Sequence, residues 1–496
     1  MDIQLAIRGR RDLIGQVYRQ LRAGIVDGRL PAGSRLPSTR DLAIQLGVSR
    51  KTTLEAFERL LAEGYLRARP GDGTFVADGL QQATTRAVVA QSVAPRPAAV
   101  WQRVPPALSM PLPGTELPRD YLGGVTDKRL FAFDAWRRCM GHALRTQARG
   151  RGIYRDPGGE QELRLAIARY VGFSRAVACQ WQDVIVTQGA QQALDIIARV
   201  MIERGDTVAV EDPGYPPARS SLLALGARVV PVPVDGEGLR VDKLPDAAKL
   251  VYVTPSHQFP LGMPMSLERR LALLEWASAR GALIVEDDYD GEFRFEGRPL
   301  DSLKSLDRAG VVAYVGTFSK TIFPELRLGY VVPPPSLAEA CLKARQLNDW
   351  HGCSLTQAAL ARFMLDGDFA RHLRRVQKHY ALRREALLTH LRGELAPWLT
   401  PIAPAAGIHL AALLREGIAE EAVIERARQA SLGLYGIAGF HVRARARHGL
   451  LFGYGAIQLE AIHQSMAQLH ALLRQLAPAA RATPARRRQR SAMEPD

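Results

Sequence analysis

Two hydrophobic patterns divide the 496-residue chain. In residues 13–26, LIGQVYRQLRAGIV, apolar positions recur at the spacing of one helix face, and further short helical patterns follow to about residue 78. From about residue 111 to 476, short apolar runs alternate with helical stretches such as QQALDIIARVMIERG. The patterns predict a small, mainly helical domain at 10–78 and a large α/β domain at 111–476.

The large domain contains six strand candidates: DVIVT, DTVAVE, ARVVPVPV, KLVYVT, ALIVED and VVAYVGTF. Strands that alternate with helices predict a mostly parallel sheet covered on both faces. Ligands of such sheets bind at the carboxyl ends of the strands. Polar clusters directly after these strands are therefore candidate site residues.

Two segments lack a sustained period. Residues 79–110 are rich in Ala, Gln, Thr and Pro and predict a semi-extended linker. Residues 477–496, which include ARRRQR, predict a basic, disordered tail. Two interpretations of the tail stay open, namely sequence-independent attraction to DNA and an idle solvated segment.

Composition narrows the class of protein. The net charge of +16 suggests either a polyanionic partner or a solvated basic surface. The four cysteines form no C-x-x-C pair, which disfavours structural zinc and fits a reducing compartment. There is no signal-peptide pattern and no apolar run of the ~20 residues that a membrane span needs. We expect a cytoplasmic protein without membrane contact.

The small domain has the pattern of a winged helix-turn-helix. Helices are predicted over 39–46 and 50–63, with Ser38 and Ser49 as N-caps and a glycine after each helix. LRAR, PGDG and TFVA then predict a β-hairpin. The second helix of such a unit enters the major groove, so its first residues are candidate DNA contacts; the alternative is a solvated helix start in an interaction domain. These residues are Ser49, Arg50, Lys51 and Thr52.

LPSTRDLA, LGVSRKTT, EGYL and GDGTFV resemble the winged helix-turn-helix of the GntR family of bacterial transcription regulators. Where that family has an arginine further along the recognition helix, this chain has Leu54. The DNA contacts that the resemblance implies are Arg40, Ser49, Arg50, Thr52 and Gly73, with Arg35 as a further candidate.

In GTFSKTIFPELRLGY, apolar neighbours surround Lys320 and a permanent cation follows at Arg327. Burial and a nearby cation destabilise an ammonium and make the lysine a nucleophile. With the hydroxyls of Thr317 and Ser319, the stretch suits a phosphorylated aldehyde, although a core-edge lysine in a salt bridge remains the alternative.

Two other stretches add to this chemistry. VIVTQGAQQALDII places Gly189, Ala190 and Gln191 at a helix start, which is either an anion site or a plain strand–helix turn. LIVEDDYDGEF places acids and a tyrosine at a strand end, where a carboxylate would keep a pyridine nitrogen protonated. A divalent-metal site is the competing interpretation, but the spacing is not that of a calcium loop, so we predict no metal. Its ligands would be Asp287, Asp288, Asp290 and Glu292.

YRDPGG, VTQGAQQAL, VEDPGY, TPSHQFPLG, EDDYDGEFR and GTFSKTIFPELRLGY together resemble a fold-type I aminotransferase domain that carries pyridoxal 5'-phosphate. Joined to a GntR-type head, this is the architecture of the MocR subfamily. The resemblance implies Lys320 for the internal aldimine, Tyr289 against the ring hydroxyl and Tyr215 near the ring. It implies Asp287, or Asp288, at the ring nitrogen, and His257 or Gln258 at the ring hydroxyl. The implied phosphate cup is Gly189, Ala190, Gln191, Thr317, Ser319 and Arg327.

The sequence departs from aminotransferases at the carboxylate clamp. Leu451 stands where they carry an arginine for the substrate carboxylate, and Pro217 stands where some effector-binding members carry another. Without a bidentate clamp, amino acids lose orientation as well as binding energy, so we expect weak or absent transaminase activity. The candidate substitutes are Arg219, Arg443, Arg445 and Arg447.

Three functional hypotheses follow. The favoured one is a transcription regulator that senses pyridoxal phosphate, or a small-molecule amine or amino acid that reacts with the Lys320 aldimine. The others are a working aminotransferase with a DNA-binding head, and a repressor whose large domain only dimerises. The resemblance also implies a homodimer, head-to-tail and domain-swapped, on double-stranded DNA with paired half-sites.

Overall fold

The structure is a computed structural model, and it describes residues 5–7, 9, 11–78, 95–106, 117–297, 301–402, 406–443 and 447–476. The chain divides into two compact units, Met1–Pro97 and Ala98–Asp496. The predicted limits 10–78, 79–110 and 111–476 stay predictions. Residues 79–94 and 107–110 of the predicted linker, and the predicted tail 477–496, lie outside the described residues.

The first unit is a winged helix-turn-helix. Ser38 and Ser49 cap two of its helices, accepting from the backbone N–H of Asp41 at 3.1 Å and of Thr52 at 3.2 Å. Gly47 ends the first of them in the left-handed conformation, at a φ of 63°. Because these signals are local, the helix over 39–46 has the predicted limits. The elements are α1 (Leu13–Val26), α2 (Thr39–Leu46), α3 (Arg50–Ala62), β1 (Leu66–Arg69) and β2 (Gly73–Val76).

One apolar core holds this unit together. Val17 and Leu21 from α1 pack with Phe57 and Leu60 from α3 and with Leu66 from β1. Strands β1 and β2 pair antiparallel as the predicted wing. The hydroxyl of Thr53 donates to the Thr39 carbonyl at 2.7 Å, which fixes α3 against α2.

The second unit alternates helices and strands. Its helices are α4 (Phe133–Gln147), α5 (Gln161–Arg175), α6 (Ala190–Met201), α7 (Pro216–Ala224), α8 (Leu267–Arg280), α9 (Leu303–Leu306), α10 (Pro335–Asp349), α11 (Ser354–Leu365), α12 (Asp368–Arg392), α13 (Glu420–Gln429) and α14 (Leu459–Leu476). Its strands are β3 (Arg119–Asp120), β4 (Ile185–Thr187), β5 (Thr207–Asp212), β6 (Arg228–Asp235), β7 (Gly238–Leu239), β8 (Ala248–Val253), β9 (Leu283–Asp288), β10 (Val312–Thr317), β11 (Gly329–Val332), β12 (Leu399–Pro401), β13 (His409–Leu414), β14 (Leu432–Gly433), β15 (Tyr435–Gly436) and β16 (Gly449–Gly453).

Eight strands form the main sheet in the order β4-β11-β10-β9-β8-β5-β6-β7. The neighbours from β10 to β6 pair parallel, whereas β11 and β7 run antiparallel to their partners. Along β9, Leu283 and Val285 pack into one apolar cluster and Ile284 into another, so both faces are covered. The predicted mostly parallel sheet, with all six strand candidates in it, is confirmed.

A smaller sheet follows, in the order β12-β13-β16-β15. It packs against α12, α13 and α14 in a separate apolar core that includes Leu387, Phe452 and Leu469. Within the described parts of the chain, no helix has the length and apolarity that a membrane span requires.

Candidate functional site

The predicted cofactor residues converge on one edge of the main sheet. Gly189 follows β4, Tyr215 follows β5, His257 follows β8, Tyr289 follows β9 and Lys320 follows β10. Strand β11 runs antiparallel, so Arg327, which precedes it, reaches the same edge. The sheet therefore gathers residues that are far apart in sequence at its carboxyl ends, as open α/β sheets do at their ligand sites.

Lys320 is partly buried, and its ammonium donates to the carbonyl of Gly124 at 2.8 Å. Burial lowers the pKa of Lys320, the carboxylates of Asp290 and Asp287 oppose that effect, and the Arg327 guanidinium adds to it. A lowered pKa gives the lysine a larger neutral fraction, which is the form that attacks an aldehyde.

An anion cup forms where Arg327 meets the start of α6. Gly189 caps this helix at a φ of 81°, and a Cβ there would lie 3.0 Å from Arg327 Nη2. Only glycine therefore lets the guanidinium approach, and Arg327 also donates to the Gln188 carbonyl at 2.8 Å. The first amides of a helix lack intrahelical partners and attract anions, so helix and guanidinium present donors together.

Two buried hydroxyls lie next to Lys320. Thr317 Oγ1 donates to Ser319 Oγ at 3.0 Å and accepts from the Ser319 backbone N–H at 3.2 Å. Gln191 turns instead toward Ser221, and its amide donates to that hydroxyl at 2.5 Å. The Gln191 side chain therefore does not contribute to the predicted cup through this contact. Its backbone lies in the first turn of α6, next to the cup.

Asp287 and Asp288 have different partners in the structure. This difference bears on which of them can serve the ring nitrogen, a choice that the sequence left open. Asp288 binds the Arg175 guanidinium through both of its oxygens and accepts from the Tyr314 hydroxyl at 2.6 Å. Asp287 Oδ2 accepts from the Tyr252 hydroxyl at 2.6 Å, while its buried Oδ1 has no hydrogen-bond partner among the described residues. Asp287 is thus the carboxylate with an oxygen left for a ring nitrogen.

The pKa values of the two aspartates shift in opposite directions, which agrees with their hydrogen bonds. Burial raises the pKa of Asp287 to about 6, against the hydrogen bond from Tyr252. Burial alone also raises the pKa of Asp288, but the Arg175 guanidinium outweighs it and holds that pKa below its ordinary value. Asp288 is committed to a structural ion pair, and Asp287 is poised to ionise when a cation approaches.

Asp287→Asn and Asp288→Asn are expected to separate binding from stability. Asparagine at 287 cannot stabilise a protonated ring nitrogen, so cofactor affinity should fall roughly tenfold or more. Asparagine at 288 leaves Arg175 buried without its anionic partner, which should cost about 3–5 kcal/mol of unfolding free energy. Urea denaturation of each apo-protein and cofactor titration would measure both; equal effects of the two variants would contradict the assignment.

The unfolding free energies of wild type and Asp287→Asn should differ in their pH dependence. The folded pKa of Asp287, about 6, lies above its ordinary value of 3.8. Between those pH values the folded apo-protein keeps a proton that the unfolded chain has lost, so raising the pH should destabilise wild type relative to Asp287→Asn, by on the order of 2 kcal/mol. Denaturation of both proteins from pH 4.5 to 7 would show this trend, and a constant difference would contradict it.

His257 belongs to a buried polar cluster under Tyr289. Its Nδ1 lies 2.9 Å from Asp290 Oδ2 and 2.9 Å from the Tyr289 hydroxyl, which also lies 3.0 Å from the His257 carbonyl. Gln258 turns away, and its amide donates to the carbonyls of Pro213 and Phe259. Of the two alternatives in the sequence, only His257 contacts Tyr289.

This cluster also contains a possible ligand set. One ligand atom from each of His257, Asp290 and His409 lies within 4.8 Å of the others. His257 and Asp290 bond each other, however, and His409 Nε2 lies 3.2 Å from the Pro260 carbonyl. The acids of the competing metal hypothesis face separate partners, because Asp288 binds Arg175 and Glu292 accepts from Tyr170.

Tyr215 lies after β5, at the sheet edge that carries the candidate cofactor site. Burial and the Asp287 carboxylate raise the pKa of Tyr215 to about 12 against the opposing effect of the Arg327 guanidinium, so the phenol interacts with both the acid and the anion cup. Its ring meets Phe259 edge-on, with centroids 5.5 Å apart. This position, between the two ends of the candidate site, fits an aromatic that covers a cofactor ring.

The predicted DNA contacts lie in the first unit, and most are exposed. Arg35 lies against the wing, where a Cβ on Gly73 would be 3.0 Å from its Nε. Thr52 is buried, and its hydroxyl lies 2.9 Å from that of Ser49. Leu54 is 41% exposed further along α3. The exposed candidates are Arg35, Arg40, Ser49, Arg50, Lys51 and Gly73.

Several residues of the site were not predicted from the sequence. Arg175, which fixes Asp288, lies 113 positions away from it, and Gly124, which accepts from Lys320, lies 196 positions away. Neither carries a local signal. Tyr252 did carry one, because it is a hydroxyl-bearing residue inside the apolar run KLVYVT.

Two family profiles match the chain. The profile described as "Bacterial regulatory proteins, gntR family" matches residues 13–76, and "Aminotransferase class I and II" matches residues 126–448. A solved Pyrococcus horikoshii kynurenine aminotransferase superposes with a TM-score of 0.67 at 27% identity, covering 73% of this chain and 92% of that chain.

Two proteins that the chain matches over most of its length are named as regulators. The chain is 38% identical over 464 residues to "Probable rhizopine catabolism regulatory protein MocR" of Rhizobium meliloti, covering 92% of each. It is 30% identical over 457 residues to the pyridoxine biosynthesis transcriptional regulator PdxR of Corynebacterium glutamicum, covering 92% of this chain and 94% of that protein.

The site fits the cofactor of this fold, pyridoxal 5'-phosphate. The unpaired oxygen of Asp287 suits the ring nitrogen, the cup at Gly189 and Arg327 suits the phosphate, and Lys320 suits the aldehyde. The chain belongs to the MocR type of GntR-family transcription regulators, in which a DNA-binding winged helix-turn-helix is joined to an aminotransferase-like domain that depends on pyridoxal phosphate.

Proposed function

We propose that this regulator acts as a cytoplasmic homodimer and changes its binding to operator DNA when pyridoxal phosphate, or an amine that reacts with it, occupies the site at Lys320. One observation carries the proposal: the buried Lys320 lies within the electrostatic reach of both Arg327 at the anion cup and Asp287, whose Oδ1 has no hydrogen-bond partner among the described residues. The same chain bears an exposed recognition-helix start at Arg50.

Each residue has a defined part. Pyridoxal phosphate supplies an aldehyde that bonds covalently to primary amines and a ring that withdraws electrons when protonated. Lys320 would provide the amine, Asp287 would pair with the protonated ring nitrogen, and Tyr289, held by His257, would serve the ring hydroxyl. The amides of α6, the hydroxyls after β10 and Arg327 would hold the phosphate.

Exposed apolar side chains on the second unit support a subunit interface. The rings of Tyr154 and Trp350 lie 4.5 Å apart while 71% and 53% exposed, and Leu347 is 89% exposed. Apolar clusters of this kind mark interaction surfaces. A two-fold dimer presents two recognition helices to paired half-sites, and we retain the head-to-tail, domain-swapped arrangement as part of the proposal.

The proposal keeps the domain limits expected from sequence: a DNA-binding domain at 10–78, a linker at 79–110, an effector and dimerisation domain at 111–476 and a basic tail. It also keeps weak or absent transaminase activity. Leu451 is buried in an apolar cluster, and Pro217 lies in the first turn of α7, so neither position supplies a carboxylate clamp.

The test begins with selection of an operator from random double-stranded DNA by the full-length chain. Sequenced operators should contain paired half-sites, bound by two chains in analytical ultracentrifugation. Operator affinity should then differ at least about fivefold between apo-protein and cofactor-loaded protein, because typical coupling free energies are of that order. Fluorescence anisotropy of the labelled operator measures it.

Lys320→Ala should bind the operator with one affinity whether cofactor is present or not. Lys343→Ala is the matched control, because Lys343 is a 69% exposed lysine paired with Glu339 on α10. It should respond as wild type does. Equal operator affinity of wild-type apo-protein and loaded protein, with and without added amines, would refute the proposed sensing role.

A further inference from the structure

Leu451 lies on β16, opposite Ala411 of β13 and Tyr435 of β15. The side chain is 3% exposed and packs in an apolar cluster. An arginine at this position would extend its guanidinium into the same space. Leucine instead makes the surface apolar. The buried members of this cluster are Leu261, Met263, Ala411, Ile437 and Leu451.

The leucine cluster is close to the lysine. A Cβ on Gly123 would lie 3.3 Å from Leu451 Cδ2, and a Cβ on Gly124 would lie 2.7 Å from Lys320 Nζ. One pair of adjacent glycines therefore separates the leucine from the amine. An effector amine that takes the position of the Lys320 amine brings the substituents of its first carbon to this apolar surface.

The charges around the lysine also disfavour a carboxylate. Among the described residues, those that shift the pKa of Lys320 by their charge are Asp290, Asp287 and Arg327. Arg327 is positioned at the anion cup by Gly189 and Gln188. The remaining two are acids, which supply no cation to pair with a second carboxylate.

The arginines considered as substitutes are not members of the apolar cluster around Leu451. Arg219 lines a cavity of about 10 Å³ with Glu211 and Phe440, and Phe440 packs against the leucine cluster. Arg443 and Arg447 are exposed, and the backbone N–H of Arg443 donates to Asp212 at 3.2 Å. Arg445 lies outside the described residues. Of the described three, Arg219 is linked to the leucine cluster through Phe440, and the contacts given for Arg443 do not involve the cluster.

We propose that the effector admitted at Lys320 is a primary amine with no carboxylate on its amine-bearing carbon. This inference rests on the proposed function and narrows its effector class. An α-carboxylate would be desolvated against Leu451, which cannot pair with it, whereas hydrogen or an alkyl group at that position is compatible with the cluster.

The test compares two stable ligands that differ only in the carboxylate. N-(5'-phosphopyridoxyl)-L-leucine and N-(5'-phosphopyridoxyl)-3-methylbutylamine are titrated into the full-length apo-protein by calorimetry. Both carry the phosphate, the ring and the same side chain, so the site at Asp287 and Arg327 contributes equally to each. The amine conjugate should bind at least about tenfold more tightly, which is a modest share of the penalty for an unpaired buried carboxylate.

The outcomes separate the two levels of the proposal. Equal affinities, or tighter binding of the leucine conjugate, would overturn the effector class and leave the cofactor site intact. Failure of both conjugates to bind would overturn the site itself and, with it, the proposed function.

Two variants test the role of the leucine. Leu451→Arg should raise the affinity of the leucine conjugate relative to the amine conjugate by at least about tenfold, because it supplies the bidentate partner. Leu451→Met keeps the surface apolar and should retain the wild-type preference. Binding of the amine conjugate to each variant reports that the site is folded; a folded Leu451→Arg protein with the wild-type preference would overturn the assignment of this position.

Discussion

Lys320→Ala is expected to abolish covalent attachment of pyridoxal phosphate. Lys320 combines burial, a lowered pKa and a place between Asp287 and the anion cup at Arg327. At one cofactor per chain, borohydride reduction of wild type should fix the cofactor mass on the peptide that contains Lys320 and bleach the visible absorption band. The variant should show neither the modified peptide nor the bleachable band.

The matched control is again Lys343→Ala, which removes an exposed lysine and its ion pair with Glu339. It should be labelled at Lys320 as wild type is. Fixed cofactor in the Lys320→Ala protein, on whichever peptide, would mean that another amine serves the site. Absence of fixed cofactor from wild type would remove the covalent part of the proposal and leave a dimerising scaffold as the remaining hypothesis.

Local signals explain why so much of the fold could be predicted. The limits of α1 and α2 follow from apolar spacing, the Ser38 cap and the left-handed Gly47, all of which lie within a few residues of the element they define. The six main strand candidates were continuous apolar runs bounded by turns, and all of them lie in the main sheet. The two-residue strands β3, β14 and β15 have no such signal, because their pairing depends on distant partners.

The sequence could not decide between Asp287 and Asp288 as the partner of the ring nitrogen. Adjacent residues of a strand face opposite sides of the sheet, so one of the two acids had to point away from the ring. Which one does so depends on Arg175 at the end of α5, a residue 113 positions earlier. The choice between His257 and Gln258 depends likewise on Asp290 and on the carbonyl of Pro213.

The cofactor residues and Leu451 together bear on whether the site detects a ligand or turns it over. In the proposed function, the site residues supply the donors and acids that the cofactor needs, whereas Leu451 offers no charged group to orient an amino acid. A site that binds the cofactor while omitting the substrate clamp suits ligand detection better than turnover, because transamination needs orientation as well as attachment.

Arg50→Ala is expected to weaken operator binding by about 5- to 150-fold, the equivalent of one bidentate contact to a base edge. Arg50 is the first residue of α3 and is exposed, while Ser49 caps the helix through the Thr52 amide. Alanine is a good helix former, so the variant should keep α3 and its core contacts through Phe57. Fluorescence anisotropy on the selected operator and on scrambled DNA measures the effect.

The comparison of the two DNAs separates a base contact from a phosphate contact. Loss of affinity confined to the operator identifies Arg50 as a base contact. Equal loss on both DNAs identifies it as a phosphate contact, and DNA binding by the variant should then depend less steeply on salt than binding by wild type. Arg137→Ala is the control, because Arg137 is an 82% exposed arginine on α4 in the second unit and its removal changes the net charge equally. If Arg137→Ala weakened operator binding as much as Arg50→Ala, net charge rather than the recognition helix would account for the affinity.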